Sequence, residues 1–315
     1  MLETKASQPV ITVTLTPAVD VAISVHELVP GKLHRLPAVR QDPGGKGINV
    51  SKALRAFGIP TLATGFLGGD RGQWIRTKLD ELSIPHDFVD ISEETRMNVK
   101  VSEGNGRLTE FNSVSPAGAA ANWQELEAKI SNVQPGQWIA FCGRLPDEMN
   151  AWWYRDAIEL AKERGAFTLL DSSGDGLRFG CQAKPDIVKP NRTELTALIG
   201  RRLNTTAEVV AAATDLVKEG IGTVVVSLGG DGVVAVTEAG VFQTLVPEVV
   251  TESSVGAGDT LVAGLLYGLH RGLSFADCLQ LAAAAGTCAT RTPGTESPTL
   301  ASVEALVPQT RVIVL

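Results

Sequence analysis

From residue 138 onward, the chain alternates between short apolar runs typical of buried strands and longer segments in which apolar residues recur at helical spacing. A strand pattern, a helical crossover and another strand pattern together are typical of βαβ units. We therefore predict an α/β protein with a mostly parallel sheet and helices on both of its faces. The predicted strands are 138–141, 167–171, 187–188 and 223–228, and the predicted helices are 150–164, 191–199, 206–219, 256–271 and 274–290.

The N-terminal part adds one strand and one helix to this pattern. β-branched residues alternate over 10–15, and Pro17 ends the strand, which places Asp20 just beyond it. Residues 46–57 carry apolar side chains at helical spacing, and Gly58 follows as the expected C-terminal cap.

Two segments, 19–41 and 95–112, interrupt the alternation. The second predicts two strands around a Glu-Gly-Asn-Gly turn. Because an isolated hairpin is marginally stable, we predict that both segments build one small β-sheet, a lid that covers a site on the main domain.

Charge and composition exclude several classes of function. The 315 residues contain 28 Lys and Arg against 35 Asp and Glu, a formal net charge of −7, so we expect no nucleic-acid partner. Four cysteines without a C-x-x-C pair and four histidines indicate neither a disulfide framework nor a structural zinc site. Residues 1–10 lack the apolar core of a secretory signal, and the apolar stretch at 261–269 is too short to span a membrane. We therefore expect a cytoplasmic location.

The strongest chemical feature is the sequence SVGAGDT at 254–260, which directly precedes an apolar helix. Small residues at a helix N-terminus present free backbone N–H groups and bind anions. Asp259 lies in the first turn, where an ionised carboxylate can accept a proton from an attacking hydroxyl, so the pattern favours phosphoryl transfer. The alternative is a tight turn at Gly256 and Gly258 with an ordinary helix-terminal acid. The usual P-loop and G-x-G-x-x-G nucleotide motifs are absent from the sequence.

Taken with GGKGINV at 44–50, the VGAGD sequence at 255–259 resembles the paired signatures of the ribokinase-like, or PfkB-type, sugar kinases. VKPNRTEL at 188–195 is similar to that family's N-x-x-E element, and SLGGDG at 227–232 is similar to its nucleotide loop. The resemblance covers essentially the whole chain in order. It implies a three-layer α/β/α kinase domain over 1–315 with a β lid, which uses ATP and Mg²⁺.

Within this family, TRMNVK at 95–100 and GRLTEFN at 106–112 are most similar to the 1-phosphofructokinases of the hexose-phosphate kinase branch. This implies ATP-dependent phosphorylation of fructose 1-phosphate at its 6-hydroxyl. Related branches phosphorylate tagatose 6-phosphate or fructose 6-phosphate, and both stay as alternatives. The sequence has Arg144 where the family usually has a small serine. That difference also motivates a non-enzymatic alternative, a catalytically silent sugar-phosphate sensor.

The resemblance assigns Asp259 as the base and the N–H groups of Gly256, Ala257 and Gly258 as the hole for the transferring phosphoryl. Asp20 is expected to accept hydrogen bonds from sugar hydroxyls, with an Asx turn as the alternative. The other residues expected at the sugar phosphate are Gly44, Gly45, Lys46, Asn49, Arg96 and Arg144, and more weakly Lys32.

The family elements also predict a nucleotide site. Asn191 and Glu194 are expected to order Mg²⁺ through water, or to cap the following helix, and both interpretations are compatible. The expected ATP contacts are Lys189, Asn191, Ser227, Gly229 and Gly232. A monovalent cation such as K⁺ is expected near 251–255, and a homodimer through the lid is a further expectation.

Overall fold

The computed structural model describes residues 8–36 and 38–315. Residues 1–7, on which the expectation of no secretory signal largely depends, lie outside this part. The strands are β1 (Val10–Thr14), β2 (Ala18–Val25), β3 (Val39–Gly44), β4 (Thr61–Gly68), β5 (Val89–Ile91), β6 (Arg96–Glu103), β7 (Leu108–Asn112), β8 (Trp138–Cys142), β9 (Phe167–Asp171), β10 (Ile187–Val188), β11 (Thr223–Ser227), β12 (Val233–Thr237), β13 (Gly240–Leu245) and β14 (Arg311–Val314).

The helices are α1 (Lys46–Ala56), α2 (Gly69–Glu81), α3 (Trp123–Ile130), α4 (Trp153–Glu163), α5 (Gly174–Gly180), α6 (Arg192–Ile199), α7 (Thr206–Lys218), α8 (Ala257–His270), α9 (Phe275–Ala289) and α10 (Leu300–Leu306). The six predicted helices agree with α1, α4, α6, α7, α8 and α9 to within a few residues, whereas α2, α3, α5 and α10 were not predicted. Among the described residues, no helix is long and apolar enough to cross a bilayer.

The main sheet has ten strands in the order β14-β13-β12-β11-β10-β9-β8-β1-β4-β5. The strands from β11 to β5 are parallel, which confirms the predicted mostly parallel sheet. β12, β13 and β14 extend it in antiparallel fashion, an extension that the sequence analysis did not predict.

Helices cover both faces of this sheet, as predicted. Alternate residues of β11 point to opposite sides: Val224 and Val226 join the core under α3 to α7, whereas Val225 joins the core under α1, α8, α9 and α10. The two cores consist mainly of aliphatic side chains. Burial on both faces explains why the parallel strands are continuously apolar.

The second sheet has the order β3-β2-β6-β7 and draws its strands from both interrupting segments. We call this sheet the lid. Its apolar face, which includes Val19 and Val21, packs against Ile75 and Leu79 of α2, so the lid rests on the main domain.

The position predicted for Asp20 was wrong in one respect. Asp20 does not follow a strand; it lies inside β2, where it is paired with Asp42 of β3 and Asn98 of β6. Pro17 interrupts the first strand, but the chain then continues as an extended strand of another sheet.

Candidate active site

The start of α8 has the geometry of an anion site. Gly256 caps the helix with φ 78°, a left-handed conformation that glycine adopts readily. The N–H groups of Ala257, Gly258 and Asp259 occupy the first turn, where a helix offers them no internal partner, and Ala257 N–H makes only a long 3.4 Å contact with a carbonyl oxygen. A Cβ at position 258 would lie 3.6 Å from Lys189 Nζ, so a cation adjoins these amides.

The carboxylate of Asp259 is buried, with 6% of the residue exposed, and Asn49 Nδ2 donates to its Oδ2 at 2.8 Å. Burial and the charge of Asp171 raise the pKa of Asp259 to about 6, against the opposing effects of Lys46, Asn49 and Lys189. The sequence analysis expected an ionised carboxylate in the first turn of this helix. At neutral pH the group is still mostly ionised, but its pKa places it in the range suited to a general base.

Asp171 is fully buried and forms ion pairs with two lysines. Lys46 Nζ donates to Asp171 Oδ1 at 2.8 Å, and Lys189 Nζ lies 3.4 Å from the same oxygen. Burial alone would raise the pKa of Asp171, but Lys189 and Lys46 outweigh it and lower the value. Asp171 Oδ2 is buried and has no hydrogen-bond partner among the described residues. Lys46 also lies 3.6 Å from Glu194, and its expected contact with a sugar phosphate stays a prediction.

Asp20 lies on the polar face of the lid. Asn98 Nδ2 donates to Asp20 Oδ1 at 2.9 Å, and Lys100 Nζ lies 3.6 Å from Oδ2. A Cβ at position 44 would come within 2.4 Å of Asp20 Oδ2. Gly44 is therefore required for this carboxylate to approach the start of α1. At position 45, a Cβ would come within 2.7 Å of Thr14.

A cavity of about 630 Å³ lies on the other side of the α8 N-terminus. Four of the five residues predicted for ATP line it, together with part of α8 and apolar side chains, namely Asn191, Ser227, Gly229, Gly232, Ala257, Gly258, Val246 and Pro247. Lys189, the fifth residue, is not among the lining residues, but its Nζ adjoins Gly258, which is one of them. The volume suits a nucleotide-sized ligand.

Asn191 and Glu194 form a capping box at α6. Asn191 Oδ1 accepts from Glu194 N at 2.8 Å, and Glu194 Oε2 accepts from Asn191 N at 2.8 Å. The capping interpretation of this pair is thus confirmed. Asn191 also lines the 630 Å³ cavity, so it is placed to contact a ligand there as well as to cap the helix.

A second cavity of about 710 Å³ separates the lid from the body. Lys100 and Arg40 line its lid side, and Thr251 and Ser254 line both this cavity and the first one. Both cavities therefore reach the loop that precedes α8.

Three predicted cationic contacts differ in their surroundings. Arg96 donates to Thr16 O at 3.2 and 3.0 Å, and burial together with nearby Arg144 lowers its pKa. Arg144 is half-exposed and pairs with Asp147. Lys32 is exposed on the surface.

Sequence reasoning missed Asp171, Asn98, Lys100 and Lys52 as members of this site. Asn98 and Lys100 follow Arg96 at a spacing of two, and this strand periodicity would have placed them on one face. Lys52 follows Asn49 by three residues on α1, which puts both side chains on one side of the helix.

The pattern that defines the pfkB family carbohydrate kinases matches residues 10–301. A 1-phosphofructokinase from Bacillus subtilis (strain 168) is 33% identical over 303 residues, which cover 96% of this chain and 98% of that protein. A 1-phosphofructokinase from Escherichia coli (strain K12) is 34% identical over 305 residues, again covering 96% and 98%. The crystal structure of phosphofructokinase-2 from Escherichia coli in complex with potassium has a TM-score of 0.91 at 29% identity, covering 95% of this chain and 98% of that one. The range matched by the family pattern includes the residues that line both cavities.

Proposed function

Because the chain belongs to the pfkB family of carbohydrate kinases, we propose that it transfers the γ-phosphoryl group of ATP to the 6-hydroxyl of fructose 1-phosphate. The product is fructose 1,6-bisphosphate. The observation that carries this proposal is the buried carboxylate of Asp259, which lies beside the free N–H groups at the start of α8, where Ala257 and Gly258 line the nucleotide-sized cavity.

In this proposal, Asp259 accepts the proton of the 6-hydroxyl while the sugar oxygen forms a bond to the γ-phosphorus. The bond from that phosphorus to the β,γ-bridging oxygen breaks, and ADP leaves. The N–H groups of Gly256, Ala257 and Gly258 stabilise the negative charge of the transferring group, assisted by Lys189. Donors fixed in advance are effective because they need no reorganisation during the reaction.

ATP is proposed to occupy the 630 Å³ cavity, where Val246 and Pro247 supply an apolar wall for the base. Asn191 and Glu194 would hold Mg²⁺ through water, and the unpartnered Asp171 Oδ2 nearby fits a network of hydrogen-bonding water. When bound, Mg²⁺ neutralises charge on the nucleotide phosphates.

The sugar is proposed to lie between the lid and α8. Asp20 accepts hydrogen bonds from its hydroxyls, and Gly44, Gly45 and Asn49 shape the adjoining wall. The 1-phosphate is assigned mainly to Arg96 and Arg144, with Lys46 as a further candidate. Burial and the nearby guanidinium of Arg144 lower the pKa of Arg96, and an anion bound between the two groups relieves the repulsion at Arg96.

We also propose that the chain works as one kinase domain over 1–315 and that the lid closes during the reaction. Closure excludes water, which would otherwise accept the phosphoryl group.

A cytoplasmic location is proposed from the family and from the four free thiols. K⁺ is proposed to bind near 251–255, a loop that contributes to both cavities. Rates in KCl and in tetramethylammonium chloride at equal ionic strength test this cation.

A homodimer through the lid is supported by exposed apolar side chains on the lid strands. Phe111 is 57% exposed, Leu108 48% and Val39 47%. These side chains lie on β3 and β7, the two edge strands of the lid, which are open to contact with a second copy of the chain.

The function is tested by measuring coupled ADP release with fructose 1-phosphate, fructose 6-phosphate and tagatose 6-phosphate, ranked by kcat/KM. We expect fructose 1-phosphate to rank first. A preference for either 6-phosphate would overturn the assignment of the sugar and leave the kinase assignment intact. Saturable binding of a sugar phosphate without ADP release would support the sensor instead.

A further inference from the structure

Lys52 of α1 makes three hydrogen bonds close to the proposed base. Its Nζ donates to Asn49 Oδ1 at 3.3 Å, to Pro43 O at 3.2 Å and to Thr295 Oγ1 at 3.2 Å. A lysine ammonium has three donors and no acceptor. All three donors are therefore used within the protein, which leaves none for a ligand in this arrangement.

Lys52 fixes which end of the Asn49 amide faces which neighbour. An amide has a carbonyl end and an NH₂ end, and only the carbonyl end can face an ammonium favourably. With Oδ1 turned to Lys52, Asn49 Nδ2 must point the other way, where it donates to Asp259 Oδ2 at 2.8 Å. The opposite orientation would put an NH₂ group against Lys52 and a carbonyl against a carboxylate, and both contacts are repulsive.

We infer that Lys52 is a positioning residue for phosphoryl transfer, which orients the Asn49 amide and through it the Asp259 carboxylate. The inference rests on the proposed function, because it assigns Asp259 the role of base. With Oδ2 held by Asn49, the second carboxylate oxygen is the one that receives the proton of the sugar hydroxyl. Lys52 itself does not touch the sugar or the nucleotide.

The other two contacts connect this chain of hydrogen bonds to the lid and to the loop between α9 and α10. Pro43 lies at the end of β3, one residue before the glycine that adjoins Asp20, and Thr295 lies in the loop between α9 and α10. The root of the lid and the base are thus held by the same ammonium.

The charges around Lys52 are mixed. Burial lowers its pKa to about 8, against Asp42, Asp20 and Asp259, which raise it, while Arg40 lowers it further.

The Asp259 carboxylate, in turn, is faced by Asp171, Lys46 and Lys189 as well as Asn49. These groups stay in place when Lys52 is replaced. Lys52 and Asp259 also interact directly through their charges, so the double-mutant cycle described below, and not the pH profile alone, separates the route through Asn49 from the loss of the charge.

The decisive variant is Lys52→Met, which keeps the length of the side chain and removes its donors. We expect kcat to fall by about 10- to 100-fold, as for a small displacement of a catalytic group, with KM for ATP within about twofold of wild type. The acidic limb of the pH–kcat profile should move to higher pH, because the freed Asn49 carbonyl can rotate towards Asp259 and disfavour its ionised form. Lys52→Arg retains the charge and the donors and should restore the limb.

A double-mutant cycle with Asn49→Ala tests the route of the effect. If Lys52 acts through Asn49, adding Lys52→Met to Asn49→Ala changes kcat by less than about twofold. Thr295→Val removes another partner of Lys52 but leaves the Asn49 contact, and it should retain wild-type kcat within about threefold. Circular dichroism and thermal unfolding establish that each variant is folded.

Lys52→Gln serves if methionine prevents folding. A glutamine amide can present either end to Asn49, so it does not impose one orientation, and the same loss of kcat is expected. An unchanged kcat and pH profile in the folded Lys52 variants, or fully additive effects in the cycle, would refute the role of Lys52. Failure of the wild-type protein to phosphorylate any of the three sugar phosphates would instead refute the proposed function.

Discussion

Replacing Asp259 by asparagine is expected to abolish the proton acceptor while preserving the shape of the site. Removal of a general base typically lowers kcat by about 10²- to 10⁴-fold. Binding of ATP and of the sugar should change little, because the backbone N–H groups of α8 remain. The expected signature is a loss in kcat with nearly constant KM values.

The pKa of Asp259 gives this prediction a quantitative form. With a pKa of about 6, roughly nine tenths of the carboxylate is ionised at pH 7 and about one tenth at pH 5. The rate of the wild-type enzyme should therefore fall about tenfold between these pH values, provided that chemistry limits the rate. A carboxylate with the ordinary value of 3.8 would stay almost fully ionised over this range.

The same pKa predicts a gain in stability for the variant. Because the folded-state pKa of about 6 lies above the ordinary 3.8, this group contributes stability below pH 3.8, and that contribution is lost as the pH rises through 6. At pH 7 the ionised carboxylate thus costs up to about 3 kcal/mol, from about two units at 1.36 kcal/mol each. Asparagine does not ionise, so Asp259→Asn should unfold several degrees higher than wild type at pH 7.

Two measurements check this reasoning on the same preparations. Coupled ADP release from pH 5 to 8 gives the acidic limb, and calorimetry at pH 7 gives the difference in melting temperature between variant and wild type. Wild-type turnover in Asp259→Asn would show that Asp259 is not the base. An acidic limb near pH 4, or a lower melting temperature for the variant, would show that burial does not raise the pKa of this carboxylate.

Three further changes have distinct expected results. Gly44→Ala places a Cβ 2.4 Å from Asp20 Oδ2 and so displaces a carboxylate proposed to bind the sugar. KM for the sugar phosphate should rise at least about tenfold, while KM for ATP stays unchanged. Equal effects on both KM values would contradict this prediction. Lys189→Met breaks a buried ion pair with Asp171. The free energy of unfolding, measured by urea titration, should fall by about 3–5 kcal/mol. An unchanged urea midpoint would show that this pair does not stabilise the fold. Phe111→Ser should shift a lid-mediated dimer towards monomer in sedimentation velocity without changing the unfolding midpoint, whereas an unaltered distribution would exclude this contact.

Local patterns were sufficient for the elements whose stabilising contacts lie close in sequence. The helix over 206–218 follows from apolar spacing and a capping box at Thr205 and Glu208. The turn between β6 and β7 follows from its glycines. The antiparallel extension was missed because strands such as β12 carry the same apolar residues as the parallel strands, and nothing local indicates strand direction.

The sequence by itself determined α1, α4, the helices from α6 to α9, the glycine-rich start of α8 and the acid within it, because each depends on residues that are neighbours in the chain. Only the tertiary structure decided that Asn49 contacts Asp259, and that Asp20 lies inside a lid strand. The raised pKa of Asp259 is also a tertiary property, since it arises from burial and from Asp171, which belongs to β9. Hydrogen bonds and Coulomb forces act over a few ångströms in space, and the folded backbone sets those distances.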